Sequence, residues 1–365
     1  MLRKLLGGVV LATSVVLGAG VSAQQQELRI FNWSDYIDPA VLQEFTRETG
    51  IRVVYDTFDQ METVETRLLA GRTGYDLIVV TASFLPRHIP LNLYAPIDRA
   101  QVPNLRHAWP AIQERLNRYD PGNRFAVNYM WGTTGIGYNV AKARERLGAN
   151  AVIDSWRIIF DPEQLRKFAD CGVHVLDAVE EMFPAALHFL GLNPDSKNEA
   201  DLNRAAELLA RIRPHIQKFH SSEYITALAN GDICLAVGYS GDILQARKRA
   251  KEANNNVEVA YAIPREGALM WFDSFVIPRD AGNPAAAHRF IDFVNRPEIA
   301  ARNSNFIQYA NGNLASKPLL DPAVRNDPGI YPSDEVMARL YTITPYDERT
   351  QRIVNRLWTR VKTGQ

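Results

Sequence analysis

The chain has 365 residues, 46% hydrophobic and 22% charged, enough for two lobes with cores of their own but too polar for a membrane protein. Its 41 basic and 41 acidic residues cancel, which argues against nucleic acid as a partner. Arg3 and Lys4 precede an apolar run from Leu5 to Leu17, and Val21, Ser22 and Ala23 supply small residues for cleavage, so residues 1–23 read as a secretory signal. Its removal leaves 39 basic against 41 acidic residues, a net charge of about −2. No cysteine stands near that cleavage site to carry a lipid, and no later run reaches the ~18 apolar residues of a membrane span. A soluble mature chain in a bacterial periplasm is expected.

From there strand and helix alternate. Residues 28–31 (LRIF) read as a strand, and the loop after it crowds Trp33, Ser34, Asp35 and Tyr36 together. A helix follows, with Asp38 to cap it, Pro39 at its first position and Gly50 to stop it. Residues 51–56 form a second strand, 61–70 a helix and 75–80 a third strand, which delivers Thr81, Ser83 and Phe84 into a similar loop. In an open parallel sheet such loops face the ligand crevice. Residues 124–139 read as one extended segment that crosses between lobes and bends at its three glycines; the glycines lack the Lys-Ser or Lys-Thr of a phosphate loop.

The middle of the chain starts a fresh alternation. It runs through a strand at 173–176, a helix at 178–190 with Glu180 and Glu181 in its first turn, a helix at 202–212, and a strand at 232–237 followed by a turn carrying Tyr239 and Asp242. A strand at 257–263 is expected to lead back to the first lobe, ahead of Trp271, Phe272 and Asp273 near the start of another strand. Two helices, near 334–340 and 347–361, close the chain. Cys171 and Cys234 are the only cysteines, and in an oxidising compartment a disulfide is the first expectation, two free thiols the alternative.

The recurring local unit is an aromatic beside an acid: Trp33 and Tyr36 with Asp35, Tyr239 with Asp242, Trp271 and Phe272 with Asp273. Several carboxylates repel an anion and suit a cation, whose methylenes the rings would cover. Each good cation–aromatic contact offers about 0.5–2 kcal/mol. Taken singly, an aromatic is more often core packing and an Asp beside Gly more often a cap or turn. Repetition at independent strand ends puts the ligand role first for Asp35, Asp242 and Asp273, and leaves both roles open for Glu181, where the helix dipole favours an acid anyway, and for Tyr309. The seven histidines show no metal-ligand spacing. Ser221 beside His220 lacks the nucleophile-elbow pattern, and a hydrolase using paired carboxylates stands as the rival function.

Six stretches make the chain resemble the periplasmic polyamine-binding proteins, which deliver putrescine or spermidine to ATP-driven importers: FNWSDYI (31–37), ETGIRVVYD (48–56), YMWGTTGIGYN (129–139), FHSSEYI (219–225), LANGDICLAVGYSGD (228–242) and NDPGIYPS (326–333). The resemblance implies an α/β fold of two lobes joined by crossing strands, a ligand cleft between them and a disulfide consistent with Cys171 and Cys234. It implies a monomer without cofactor or catalytic residues, partnered by a polyamine and a membrane permease. The expected lobes are 24–133 with about 257–305, and 134–256 with about 306–365. The implied pocket takes Trp33, Ser34, Asp35, Tyr36, Thr81 and Phe84 from one lobe, and Glu181, Ser221, Tyr239 and Asp242 from the other. Trp271, Asp273 and Tyr309 come from near the return crossings. Asp35, Glu181, Asp242 and Asp273 would bind ammonium, Ser34 and Ser221 would add hydrogen bonds, and Trp33, Phe84, Tyr239 and Trp271 would cover the methylenes. Tyr239 and Trp271 stand where the putrescine-preferring branch has Trp and Phe, so the ligand's length, or a different amine altogether, stays open.

Overall fold

The organising strand of the computed structural model, which describes residues 26–364, is β5 (Ala126–Asn139). Its first half pairs antiparallel with β10 (Met270–Pro278); its second half pairs antiparallel with β8 (Leu235–Tyr239) on one side and β9 (Val259–Ala262) on the other. From β10 the sheet continues through β3 (Leu77–Thr81) and β1 (Glu27–Trp33) to β2 (Arg52–Phe58). From β8 it continues through β6 (Val173–Val175) to β7 (Lys218–Phe219). Two short strands, β4 (Tyr94–Ala95) and β11 (Ala310–Asn311), pair with β10 and β5. β1, β2 and β3 are parallel to one another, as are β6, β7 and β8, so each lobe keeps its own parallel set and β5 joins the two.

Alternation along the strands explains the layers. In β3, Ile78 and Val80 join one buried cluster with Phe31 and Val276, while Leu77 and Val79 join another with Leu28 and Phe275. Side chains of a strand point to opposite faces in turn, so both faces of this half-sheet are covered. The second lobe has one large cluster, which includes Trp156, Phe183, Val237 and Trp358. Helix ends follow the expected chemistry: the Asp38 carboxylate accepts the Ala40 N–H at the start of Pro39–Thr49, and Gly50 closes that helix at φ 72°.

Several sequence expectations change here. The glycines of β5 also serve close approach. A Cβ on Gly132 would lie 2.6 Å from the Trp271 ring, and one on Gly137 2.7 Å from Ile243. The segment after Tyr239 is a helix, Ser240–Ala253, instead of a turn. The lobe limits also differ from this packing at two places. β9 pairs with the far half of β5, and Ile307, Leu320, Val324, Ile330 and Leu340 pack in the clusters of the first lobe. The returning chain therefore crosses between β9 and β10, and crosses again between Tyr341, bridged to Leu269, and Tyr346 in the second-lobe cluster. The secretory segment lies outside the described residues.

Cys171 and Cys234 are bonded, with 5.6 Å between their Cα atoms, and close a loop of 63 residues beside β6 and β8. Loop-closure entropy for that length gives about 4 kcal/mol. A C171A/C234A variant should therefore melt on the order of 10 °C lower in a thermal scan; an unchanged midpoint would show that the bond does not restrict the unfolded chain.

Candidate functional site

Between the lobes lies a cavity of about 380 Å³, bordered by every one of the thirteen candidate ligand residues. Its inner wall is Asp273 on β10, opposite Thr81 in the β3 register, at an irregularity of β10 between Asp273 and Ser274. The Thr81 hydroxyl donates to Asp273 at 2.7 Å. Burial pushes the Asp273 carboxyl up to about 6, against the lowering effect of the Thr81 hydrogen bond.

Asp242 stands in the first turn of Ser240–Ala253. Tyr224 donates to one carboxylate oxygen and Tyr309 to the other, both at 2.7 Å. Gly241 makes this possible, because any Cβ there would fall 2.3 Å from the Tyr309 ring. Burial raises Asp242 to about 6 despite its two phenol donors, and Asp35 adds repulsion. Glu181, buried in the first turn of Val179–Phe189, accepts the hydroxyl of Thr134 on β5. Its carboxyl is raised to about 8, chiefly by burial, with added repulsion from Glu180 and Asp273.

Aromatic rings line the space between these acids. Trp271 meets Tyr239 edge to face at 5.6 Å and Tyr309 at 5.4 Å; Tyr36 meets Tyr309 at 5.2 Å. The indole N–H groups of Trp33 and Trp271 are buried without a partner among the described residues. Low dielectric strengthens charge–charge attraction here, and three acids, Glu181 and Asp273 buried and Asp242 half-buried, favour positive charge in the site.

The candidates divide by position. Tyr36, Glu181, Trp271, Asp273 and Tyr309 are buried; Trp33, Thr81, Phe84, Ser221, Tyr239 and Asp242 are half-buried at its wall, and Ser34 is exposed. Asp35 stands apart from the other acids. Its backbone is left-handed at φ 54°, its side chain is 61% exposed, and its carboxylate takes Arg249 of the other lobe at 3.1 Å. Through Arg249 it ties the lobes together at the rim of the cavity it borders. His220 caps its own turn, its Nδ1 accepting the N–H groups of Ser222 and Glu223, so it is not set to activate Ser221. Residues not singled out as ligand candidates also border the cavity: Glu62, Asp177, Trp358 and Lys362, with Glu180 beside Glu181. They come from helix faces and a helix entry, where no aromatic–acid pair adjacent in sequence marks them.

Two lobes closing on a cavity lined by buried acids and rings define a protein that captures a small solute. The model of the bacterial extracellular solute-binding protein family matches residues 40–332. The chain is 48% identical over 362 residues to the putrescine-binding periplasmic protein SpuD of Pseudomonas aeruginosa, covering 99% of this chain and 98% of that one. It is 46% identical over 365 residues to the putrescine-binding periplasmic protein PotF of Escherichia coli, covering 100% and 99%. Among solved structures, a putative spermidine/putrescine ABC transporter from Listeria monocytogenes superposes with a TM-score of 0.82 at 30% identity, over 93% of this chain and 100% of that one. The chain belongs to the bacterial extracellular solute-binding protein family.

Proposed function

We propose that this protein binds a polyamine in the periplasm, closes its lobes on it, and presents the closed form to an ATP-driven membrane importer. The observation that carries this is the convergence of Asp242, Asp273 and Glu181 on one cavity walled by Trp33, Tyr36, Tyr239, Trp271 and Tyr309. An alkyl chain bearing an ammonium at each end satisfies both surfaces at once: the acids take the charges and the rings take the methylenes. The SpuD and PotF names, and that of the Listeria structure, support the same ligand class. No reaction is required, and the ligand leaves as it entered.

Isothermal titration of ligand-stripped mature protein with putrescine, cadaverine, spermidine and spermine tests this. One-to-one binding of at least one amine is expected. Absence of heat, together with absence of competition among them, would mean that this cleft serves another solute.

A further inference from the structure

The cavity reaches beyond Glu181, Asp242 and Asp273 to a further acid–aromatic pair, and the protein has filled that pair with an ammonium of its own. Asp177 stands just before the helix Val179–Phe189, four positions ahead of Glu181. The Trp358 indole N–H donates to Asp177 at 2.8 Å. Lys362 donates to both Asp177 oxygens, at 2.8 and 2.9 Å, and its ammonium lies 5.9 Å from the centre of the Trp358 ring. Asn355, Trp358 and Lys362 recur at helical spacing on Glu348–Thr363, so one face of that helix borders the cavity. Trp358 is buried and held edge-on by Phe219 at 5.3 Å, whereas the side chains of Lys362 and Asp177 remain 34% and 32% exposed. The aromatic is therefore fixed by packing, while the acid and the cation paired with it are both reached by solvent.

We propose that Asp177 and Trp358 form an outer ammonium subsite of this cavity, and that Lys362, seated in it, limits the length of amine the protein accepts. The inference rests on the polyamine reading above. Lys362 is an aminobutyl group on a backbone, the same chemistry as one end of a diamine. A diamine held by the inner acids leaves it undisturbed. A longer amine that reaches Asp177 must displace it and forfeits the gain from its outer charge.

The test compares putrescine with spermine by titration calorimetry on the wild-type chain and three variants. Lys362→Ala opens the subsite and should shift the spermine-to-putrescine affinity ratio about tenfold toward spermine, the effect of one charge-assisted contact. Lys362→Met removes the same charge but keeps the stem over Trp358, and should shift the ratio little, which separates occupancy from general electrostatics. Adding Asp177→Asn to Lys362→Ala should abolish the shift. Putrescine binding with an unchanged ratio in Lys362→Ala would overturn the proposal and reduce Lys362 to a staple for the last helix. An equal shift in Lys362→Met would overturn it too, in favour of net charge. Failure of the wild-type chain to bind either amine would instead overturn the polyamine reading, and this inference with it.

Discussion

Replacing Asp242 with Asn should weaken polyamine binding by about 100-fold while leaving the ligand-free protein at least as stable at pH 7. Loss of one partner from a buried, hydrogen-bonded charge pair costs roughly 2–5 kcal/mol, and each 1.4 kcal/mol is about tenfold in affinity. Stability moves the other way because of the empty site. An ordinary Asp carboxyl, as in the unfolded chain, titrates at 3.8, and the folded one at about 6, raised by burial. Between those values the folded form holds more protons, so stability falls as pH rises through the window, and the ionised form at pH 7 is the strained one. Asn keeps the shape and an acceptor for Tyr224 or Tyr309 and loses that dependence. Calorimetry and thermal melts from pH 4 to 7 check both halves. Undiminished binding would remove Asp242 from the site, and a lower melting point would make it chiefly a link between Tyr224 and Tyr309.

Polyamine binding near pH 7 should release close to one proton per ligand. Glu181 titrates at about 8 in the ligand-free protein, mainly because it is buried, so at pH 7 it is mostly protonated. An ammonium brought against it favours the carboxylate, while the ligand's own amines, lysine-like with pKa values near ~10, stay charged. Binding heats measured in buffers of unlike ionisation enthalpy give the proton count directly, and affinity should rise between pH 6 and 8. Glu181→Gln should flatten both. A zero count in the wild-type protein would place Glu181 outside the ammonium contacts.

The parallel strand sets and the segment through 124–139 were legible because their signals are local: apolar runs, caps and glycine stops. The site was legible where an aromatic and an acid follow a strand, as at Asp242 and Asp273. Asp35 carries the same sequence pattern, yet a left-handed backbone turns it outward to Arg249, a partner 214 positions away that no local pattern reveals. The helix Ser240–Ala253 was hidden by its Gly-Tyr-Ser-Gly start, which resembles a turn until Gly241 is seen to make room for Tyr309. Trp358 falls inside the last helix expected from the sequence and Lys362 just past its expected end, and no local pattern marks either. Only the third crossing, between Tyr341 and Tyr346, brings that helix to the cavity.

That β5 borders both lobes has a consequence for when the chain acquires structure. The first lobe closes its sheet only with β10 and completes its buried clusters only with residues as late as Leu340. The second needs Trp358 and Val361. Neither core is complete on an N-terminal fragment, and pairings between residues so far apart are slow to nucleate. A nascent chain of this topology lacks part of both cores until synthesis is almost finished, which favours the unfolded condition in which a polypeptide can still be threaded through a translocation pore.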